Sequence, residues 1–142
     1  MLRSYNQLYL DGSEEPNQKD INVDKTLVYS VGRNDNGQLG IENTTHSFVP
    51  KLISTLNSVV IIKAACGLHH SVFLTNDGKV YSTGFNENGQ LGIGNNLQKN
   101  KPVLIKSLEE EKVVDIACGY YHTLAKLENG DVCSFGRNDK GQ

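Results

Sequence analysis

The chain of 142 residues has the length of one ordinary domain, and its 37% hydrophobic and 21% charged residues are typical of a globular protein. A net charge of −2 and scattered basic residues argue against direct nucleic-acid binding. No segment approaches the roughly 20 apolar residues that span a bilayer, and the N-terminus lacks the apolar run of a signal peptide. We therefore expect an intracellular protein, cytoplasmic or nuclear, with no membrane partner and with free thiols at its three cysteines.

The chain divides into a polar N-terminal segment, residues 1–26, and a repetitive region, residues 27–142. Within the first, residues 6–12 end in the Asp-Gly pair of a hairpin, so we interpret them as a remnant strand followed by an inserted loop, residues 11–25. In the second, one phrase begins at Val28, Val80 and Val132, each time 52 residues after the last. A fixed internal period indicates a repeat architecture.

Each repeat predicts four short antiparallel strands. An apolar run of six residues favours a first strand that is buried on both faces, and a second strand leads into an Asp-Gly or Asn-Gly hairpin. A third strand rich in β-formers follows, and a proline marks the fourth as an edge strand. One repeat places these strands at 61–66, 70–75, 79–84 and 101–105, with a hairpin at Asp77-Gly78, and the next places the first three at 113–118, 122–127 and 131–136, with a hairpin at Asn129-Gly130.

A four-stranded sheet of this kind buries both faces by stacking on copies of itself, as the blades of a β-propeller do. The segments "ACGLHHSVFLTNDGKVYSTGFNENGQLGIG" (65–94) and "ACGYYHTLAKLENGDVCSFGRNDKGQ" (117–142) resemble the regulator of chromosome condensation family. The resemblance implies an all-β fold of seven blades. This chain would then be a fragment with one full blade (about 59–105), most of the next (about 112–142) and the outer part of the preceding one (about 27–53).

This chain departs from the family pattern at one repeated position. The family's usual tryptophan is replaced by Val31, Thr83 and Phe135, which predicts thinner packing between blades. The Gly pairs in the loops, Gly37 with Gly40 and Gly89 with Gly92, predict tight turns with positive φ.

The cysteine and histidine residues that could bind a metal recur at equivalent positions of successive repeats. We therefore assign them a structural role. Cys66, His70, Cys118 and His122 supply the inventory of a zinc site, but the family uses the Gly-x-x-His as a turn, so we expect no metal and no cofactor. No Gly-x-Ser-x-Gly nucleophile motif occurs, so we expect no enzymatic activity. The motif positions assigned to structure are Gly67, His70, Gly78, Gly84, Gly89, Gly92, Gly119, His122, Gly130 and Gly136.

The variable residues of the first turn are the candidates for protein interaction. They are Leu68 and His69 in one repeat and Tyr120 and Tyr121 in the next. Turns of equivalent blades lie on one face of a propeller, so the four should lie side by side, and tyrosine is enriched in binding hot spots. The alternative, that the rings pack against neighbouring loops, stays open at this point.

The resemblance implies a protein–protein interaction module of the regulator of chromosome condensation type. The alternative is a guanine nucleotide exchange factor, or part of one, for a Ran-like small GTPase. No residue of this chain maps onto an exchange site by motif alone. We expect protein partners, with a small GTPase as the partner under the alternative. Open blade edges also predict self-association, because unpaired strands are sites for pairing with other chains.

Overall fold

The computed structural model describes residues 3–5 and 26–142, and the regular secondary structure of this part of the chain is almost entirely β-strand. Two short 3-10 helices, Ser54–Leu56 and Lys106–Leu108, complete it, and neither is long or apolar enough to cross a membrane. The strands of the described residues are β1 (Arg3–Tyr5), β2 (Leu27–Gly32), β3 (Ser47–Leu52), β4 (Ile61–Cys66), β5 (His70–Thr75), β6 (Val80–Gly84), β7 (Lys99–Leu104), β8 (Val113–Cys118), β9 (His122–Leu127) and β10 (Val132–Gly136).

These strands form three antiparallel sheets in which consecutive strands are neighbours. The first sheet has the order β1-β2-β3, the second β4-β5-β6-β7 and the third β8-β9-β10. The predicted all-β fold with antiparallel sheets is confirmed. The predicted fourth strand exists as β7 at the edge of the second sheet, although it begins at Lys99, two residues before the predicted start.

The hairpin that joins β5 to β6 turns at the predicted Asp77-Gly78 pair. Leu74 pairs with Val80 across it, and the Gly78 amide donates to the Thr75 carbonyl at 3.1 Å. In the first sheet, β1 pairs with β2 in the place that β5 holds beside β6, since Ser4 lies opposite Val28. Residues 6–12, which we interpreted as a remnant strand, lie outside the described residues.

The prediction that the first strand of each repeat is buried on both faces is wrong. In β4, Ile61 is buried but Ile62 and Lys63 are exposed. β4 lies at the edge of its sheet and has a neighbouring strand on one side only. The second strand, β5, is instead buried along its whole length. It lies between two strands of its own sheet and is covered by another sheet on each face.

The core consists of two clusters, each at an interface between neighbouring sheets. Side chains alternate between the two faces of a strand, so Phe73 points to one interface and Val72 and Leu74 to the other. Phe73 packs with Val28 and Ile53 of the first sheet region. The second cluster joins the second and third sheets and contains Val72, Leu74, Val80, Ile105, Leu108, Val113, Ile116, Ala125 and Leu127.

Two of the positions where the resemblance implies tryptophan contribute to contacts between sheets. Thr83 is fully buried, and its hydroxyl donates to the Gly37 carbonyl at 2.9 Å, in the loop between β2 and β3. The Phe135 ring lies against Gly92, where an added Cβ would come within 2.7 Å of the ring. Smaller residues at these positions are thus compatible with close stacking of the sheets.

Candidate protein-interaction surface

One end of the sheets carries the turns between first and second strands together with the loops that follow third strands. This arrangement follows from antiparallel pairing, because alternate connections of a meander lie at the same end. The Phe85 amide donates to the His69 carbonyl at 2.8 Å, and the Arg137 amide donates to the Tyr121 carbonyl at the same distance. Turn and loop are therefore fastened to each other in both the second and third sheets. We call this end the loop face.

The Gly-x-x-His turn is held by its own backbone and filled by its own histidine. The Gly67 amide donates to the His70 carbonyl at 2.9 Å, and Gly119 and His122 repeat this bond at 2.9 Å. A Cβ added at Gly67 would lie 2.2 Å from the His70 ring, and one at Gly119 would lie 2.0 Å from the His122 ring. Steric exclusion therefore explains why glycine occupies the first position of both turns.

His70 connects the second sheet to the third through Thr123. Its Nε2 lies 2.9 Å from the Thr123 hydroxyl, which itself donates to the Gln90 carbonyl at 2.8 Å. Since the single hydroxyl proton is used in that second bond, the imidazole Nε2–H is the donor to Thr123. The ring is almost fully buried, and this burial lowers the pKa of His70 to about 4. The histidine is therefore neutral at neutral pH and serves the packing of the sheets.

The polar residues that recur in the Asn-x-x-Gly-Gln loops form hydrogen bonds within their own loops. Asn86 is fully buried; its side-chain amide donates to the Asn95 carbonyl at 2.7 Å, and its oxygen accepts from the Leu91 amide at 2.9 Å. Gly89 and Gly92 have φ values of 75° and 68°, so the predicted positive φ is present. The loop is a folded unit, and its buried amide side chain is unavailable to a partner.

The structure places the four candidate residues in two adjoining turns with different environments. The Leu68 amide donates to the Tyr120 carbonyl at 3.1 Å, which joins the two turns directly. Leu68 is 45% exposed and Tyr120 is 73% exposed. His69 and Tyr121 are half-buried, with ring centroids 6.3 Å apart. The first variable residue of each turn thus faces outward, and the second packs.

An aromatic cluster lies beneath the two exposed side chains. The Phe85 ring centroid lies 6.3 Å from that of His69 and 6.2 Å from that of Tyr121, both in edge-to-face geometry. The Arg137 guanidinium stands 5.6 Å from the centroid of the Tyr121 ring, within the range of a cation–π contact. This cluster spans the second and third sheets and supports the turns that carry Leu68 and Tyr120.

Sequence reasoning missed Phe85 and Arg137, although the repeats carry a signal for them. The residue after the last glycine of the third strand is arginine in the first and third repeats. There, Arg33 forms an ion pair with Asp35 at 2.5 Å, and Arg137 forms one with Asp139 at 2.6 Å. In the middle repeat this residue is Phe85. A comparison of the three phrases would have identified this exchange of an ion pair for an aromatic contact.

The cysteines lie apart from any arrangement for metal binding. All three are free; Cys66 is exposed, and Cys118 and Cys133 are half-buried. Burial raises the pKa of the Cys118 thiol to about 12, so it is protonated at neutral pH. Within residues 3–5 and 26–142 no group of three or more His, Cys, Asp or Glu side chains could hold a metal ion.

Three stacked antiparallel meanders, the second with four strands, define this chain as a set of β-propeller blades. The family model described as "Regulator of chromosome condensation (RCC1) repeat" matches residues 27–74 and 77–125, and a second model of the same description matches 61–90 and 113–142. The first model alone covers more than half of the chain. The chain belongs to the RCC1 repeat family, as the resemblance predicted.

The similarity to other proteins extends over most of this chain but over only a part of each relative. The ultraviolet-B receptor UVR8 of Arabidopsis thaliana is 37% identical over 115 residues, 81% of this chain and 26% of the receptor. The human E3 ubiquitin-protein ligase HERC2 is 40% identical over 115 residues, 81% of this chain and 2% of the ligase. A crystal structure of yeast RCC1 (Prp20) with Kap60 matches with a TM-score of 0.67 at 27% identity, covering 80% of this chain and 28% of that one.

Proposed function

We propose that this chain is a non-enzymatic protein-binding module whose working surface is the loop face. The observation that carries the proposal is Tyr120, a large aromatic side chain that is 73% exposed in a turn fixed by hydrogen bonds. Leu68 lies beside it and adds a second exposed apolar side chain. Aromatic anchors of this kind dominate many protein–protein interfaces.

The turns that present these two side chains are held in place before any partner arrives. The bond from the Leu68 amide to the Tyr120 carbonyl fixes one turn against the other, and the ring of Tyr121 packs below on Phe85. A preorganised surface binds with a smaller loss of conformational entropy than a flexible one. The geometry therefore favours recognition of a folded partner by a rigid patch.

Protein partners are supported by the family, and the surface itself argues against nucleic acid. Yeast RCC1 (Prp20), a relative in fold and sequence, has been crystallised with the protein Kap60 bound. On the loop face of this chain, Arg33 and Arg137 are each paired with an aspartate, so their charges are offset locally. Nucleic-acid binding depends on uncompensated positive charge. Nucleotide exchange on a Ran-like GTPase stays the alternative, and no contact of the described residues favours it.

The test separates the exposed tyrosine from the packed one. Three forms of the chain are immobilised: wild type, Tyr120→Ala and the control Asn76→Ala. Asn76 lies in an exposed hairpin at the opposite end of the sheets. The proteins that each form captures are quantified by mass spectrometry. A protein that uses the loop face is expected to be retained by Asn76→Ala and reduced tenfold or more by Tyr120→Ala, because a truncated hot-spot aromatic typically costs about 2 kcal/mol or more.

Two readouts accompany this experiment. Tyr120→Ala should change the free energy of unfolding by less than about 0.5 kcal/mol, as exposed substitutions usually do, whereas Tyr121→Ala should destabilise the chain by about 1–3 kcal/mol through lost packing. The proposal fails if no captured protein depends on Tyr120. Release of labelled GDP from purified Ran GTPase, accelerated by the chain, would instead support the exchange alternative.

A further inference from the structure

The acidic residue of the middle loop lacks the arginine partner that its counterparts have. In the first and third repeats, Arg33 pairs with Asp35 at 2.5 Å and Arg137 pairs with Asp139 at 2.6 Å. In the middle repeat, Glu87 takes the place of the aspartate, and phenylalanine takes the place of the arginine. None of the ion pairs within the described part of the chain includes Glu87.

The middle loop has the same local backbone arrangement as the other two. In all three loops, the amide that follows the acidic residue donates to a glutamine side chain two residues further on: Asn36 to Gln38 at 2.9 Å, Asn88 to Gln90 at 3.1 Å and Lys140 to Gln142 at 2.9 Å. Glu87 therefore stands where the two aspartates stand, and it is exposed. The loop face thus presents a carboxylate without a counter-charge at a fixed point.

The middle loop is held from both sides by described residues. The Asn36 side-chain amide donates to the Gln98 side chain at 3.2 Å, which joins the first loop to the middle one. On the other side, the Phe85 ring packs against Tyr121 of the third sheet with 6.2 Å between ring centroids. The surroundings of Glu87 are therefore set by a neighbour on each side.

Arg137 shows how a guanidinium can use a carboxylate and an aromatic ring together. It pairs with Asp139 and at the same time stands 5.6 Å from the centroid of the Tyr121 ring. A guanidinium suits both contacts because it is planar and always charged. The middle loop offers the same two groups two residues apart, the carboxylate of Glu87 and the half-buried ring of Phe85.

We propose that the loop face binds a protein that presents an arginine beside an apolar side chain, with the arginine seated between Glu87 and the Phe85 ring. The apolar side chain contacts Leu68 and Tyr120. This site rests on the proposed function of the loop face and specifies the chemistry of its partner. The Phe85 amide donates to the His69 carbonyl at 2.8 Å, so the loop of the carboxylate and the turn of the apolar contact are fastened together.

A separate partner fits this site better than a second copy of the chain. The two arginines of the loop face, Arg33 and Arg137, are each engaged by an aspartate of their own loop. Pairing of either one with Glu87 of another copy would break an existing ion pair. Arginine suits the site better than lysine, because a guanidinium can form two parallel bonds to a carboxylate and stack on a ring.

The test uses the whole chain and two synthetic peptides that differ in charge. They are acetyl-Leu-Arg-Leu-amide and the same peptide with citrulline, which has nearly the shape of arginine without its charge. Binding is followed by the amide chemical shifts of the isotope-labelled chain, and saturable shifts are expected at residues 85–89. The arginine peptide should bind more tightly than the citrulline peptide by about threefold or more, in keeping with an exposed ion pair and a cation–π contact.

Matched variants of the chain locate the charge that is recognised. Glu87→Gln should remove the preference for arginine, whereas Glu111→Gln, the same change at an exposed glutamate at the opposite end of the sheets, should leave it unchanged. Phe85→Arg restores the arginine of the other repeats. It should also remove the preference, because the chain then supplies its own guanidinium to Glu87. Circular dichroism establishes that each variant folds.

Four results would overturn the proposal. They are no saturable binding of the arginine peptide, equal binding of the two peptides by wild type, a preference for arginine that persists in Glu87→Gln, and self-association of the chain that Glu87→Gln abolishes in sedimentation. Failure of the proposed function would look different. The preference would then depend on Glu87, while Tyr120→Ala left the binding of both peptides unchanged.

Discussion

Replacing Thr123 with valine tests the contact that joins the second and third sheets. Thr123 is fully buried, and its hydroxyl accepts from His70 Nε2 at 2.9 Å and donates to the Gln90 carbonyl at 2.8 Å. Valine has nearly the same shape, so Thr123→Val removes both bonds without opening a cavity. The change therefore isolates hydrogen bonding from packing.

The magnitude follows from what the substitution leaves behind. His70 is buried, and its Nδ1 has no partner among the described residues, so Thr123→Val leaves the whole imidazole without a hydrogen bond. A buried polar group that loses its partner costs about 1–3 kcal/mol, and the Gln90 carbonyl loses a donor as well. We expect a loss of about 2–4 kcal/mol in the free energy of unfolding.

Urea unfolding at pH 7, followed by circular dichroism, measures this loss. Thr44→Val is the matched control, because Thr44 is exposed and its replacement should change the free energy of unfolding by less than about 0.5 kcal/mol. A double-mutant cycle with His70→Ala should give a coupling energy of at least about 0.5 kcal/mol, as expected for residues in contact. Equal stability of Thr123→Val and wild type, or no coupling, would refute the reasoning.

Two further predictions concern titration and thiol chemistry. The pKa of His70 is about 4 in the folded chain and 6.5 is its ordinary value, so the unfolded chain binds more protons than the folded chain between these pH values. The free energy of unfolding should therefore fall by up to about 3 kcal/mol as the pH drops from 6.5 towards 4. In His70→Gln, the urea concentration at the unfolding midpoint should depend less on pH over that window. Iodoacetamide at pH 8 should modify the exposed Cys66 before Cys118, whose thiol has a pKa of about 12, and mass spectrometry that found Cys118 modified as fast as Cys66 would contradict this assignment.

Features that depend on the local chain could be predicted from the sequence. The strands at 61–66 and 70–75 have the predicted bounds, and the hairpin turns at Asp77-Gly78. Side-chain alternation and the positive φ of glycine are properties of a few neighbouring residues, so the repeat shows them three times over. The fixed period then implied that one sheet stacks on the next.

The environment of each side chain was decided by the neighbouring sheet. The apolar run at 61–66 predicts burial on both faces, yet its strand β4 lies at an edge of the sheet and has exposed residues. The buried strand is β5, which has a strand on each side as well as a neighbouring sheet on each face. Both strands recur with the same period of 52 residues. Position within the sheet made the difference.

The candidate surface shows the same division at the level of single residues. The sequence places Tyr120 and Tyr121 in one turn and treats them alike, but the structure exposes Tyr120 and packs Tyr121 on Phe85 and Arg137. Phe85 comes from the preceding repeat, more than thirty residues away in the chain. Adjacent side chains on a turn point in different directions, and a neighbour distant in sequence determines which one meets solvent. The sequence alone therefore identified the turn, and only the tertiary structure distinguished its packing residue from its candidate anchor.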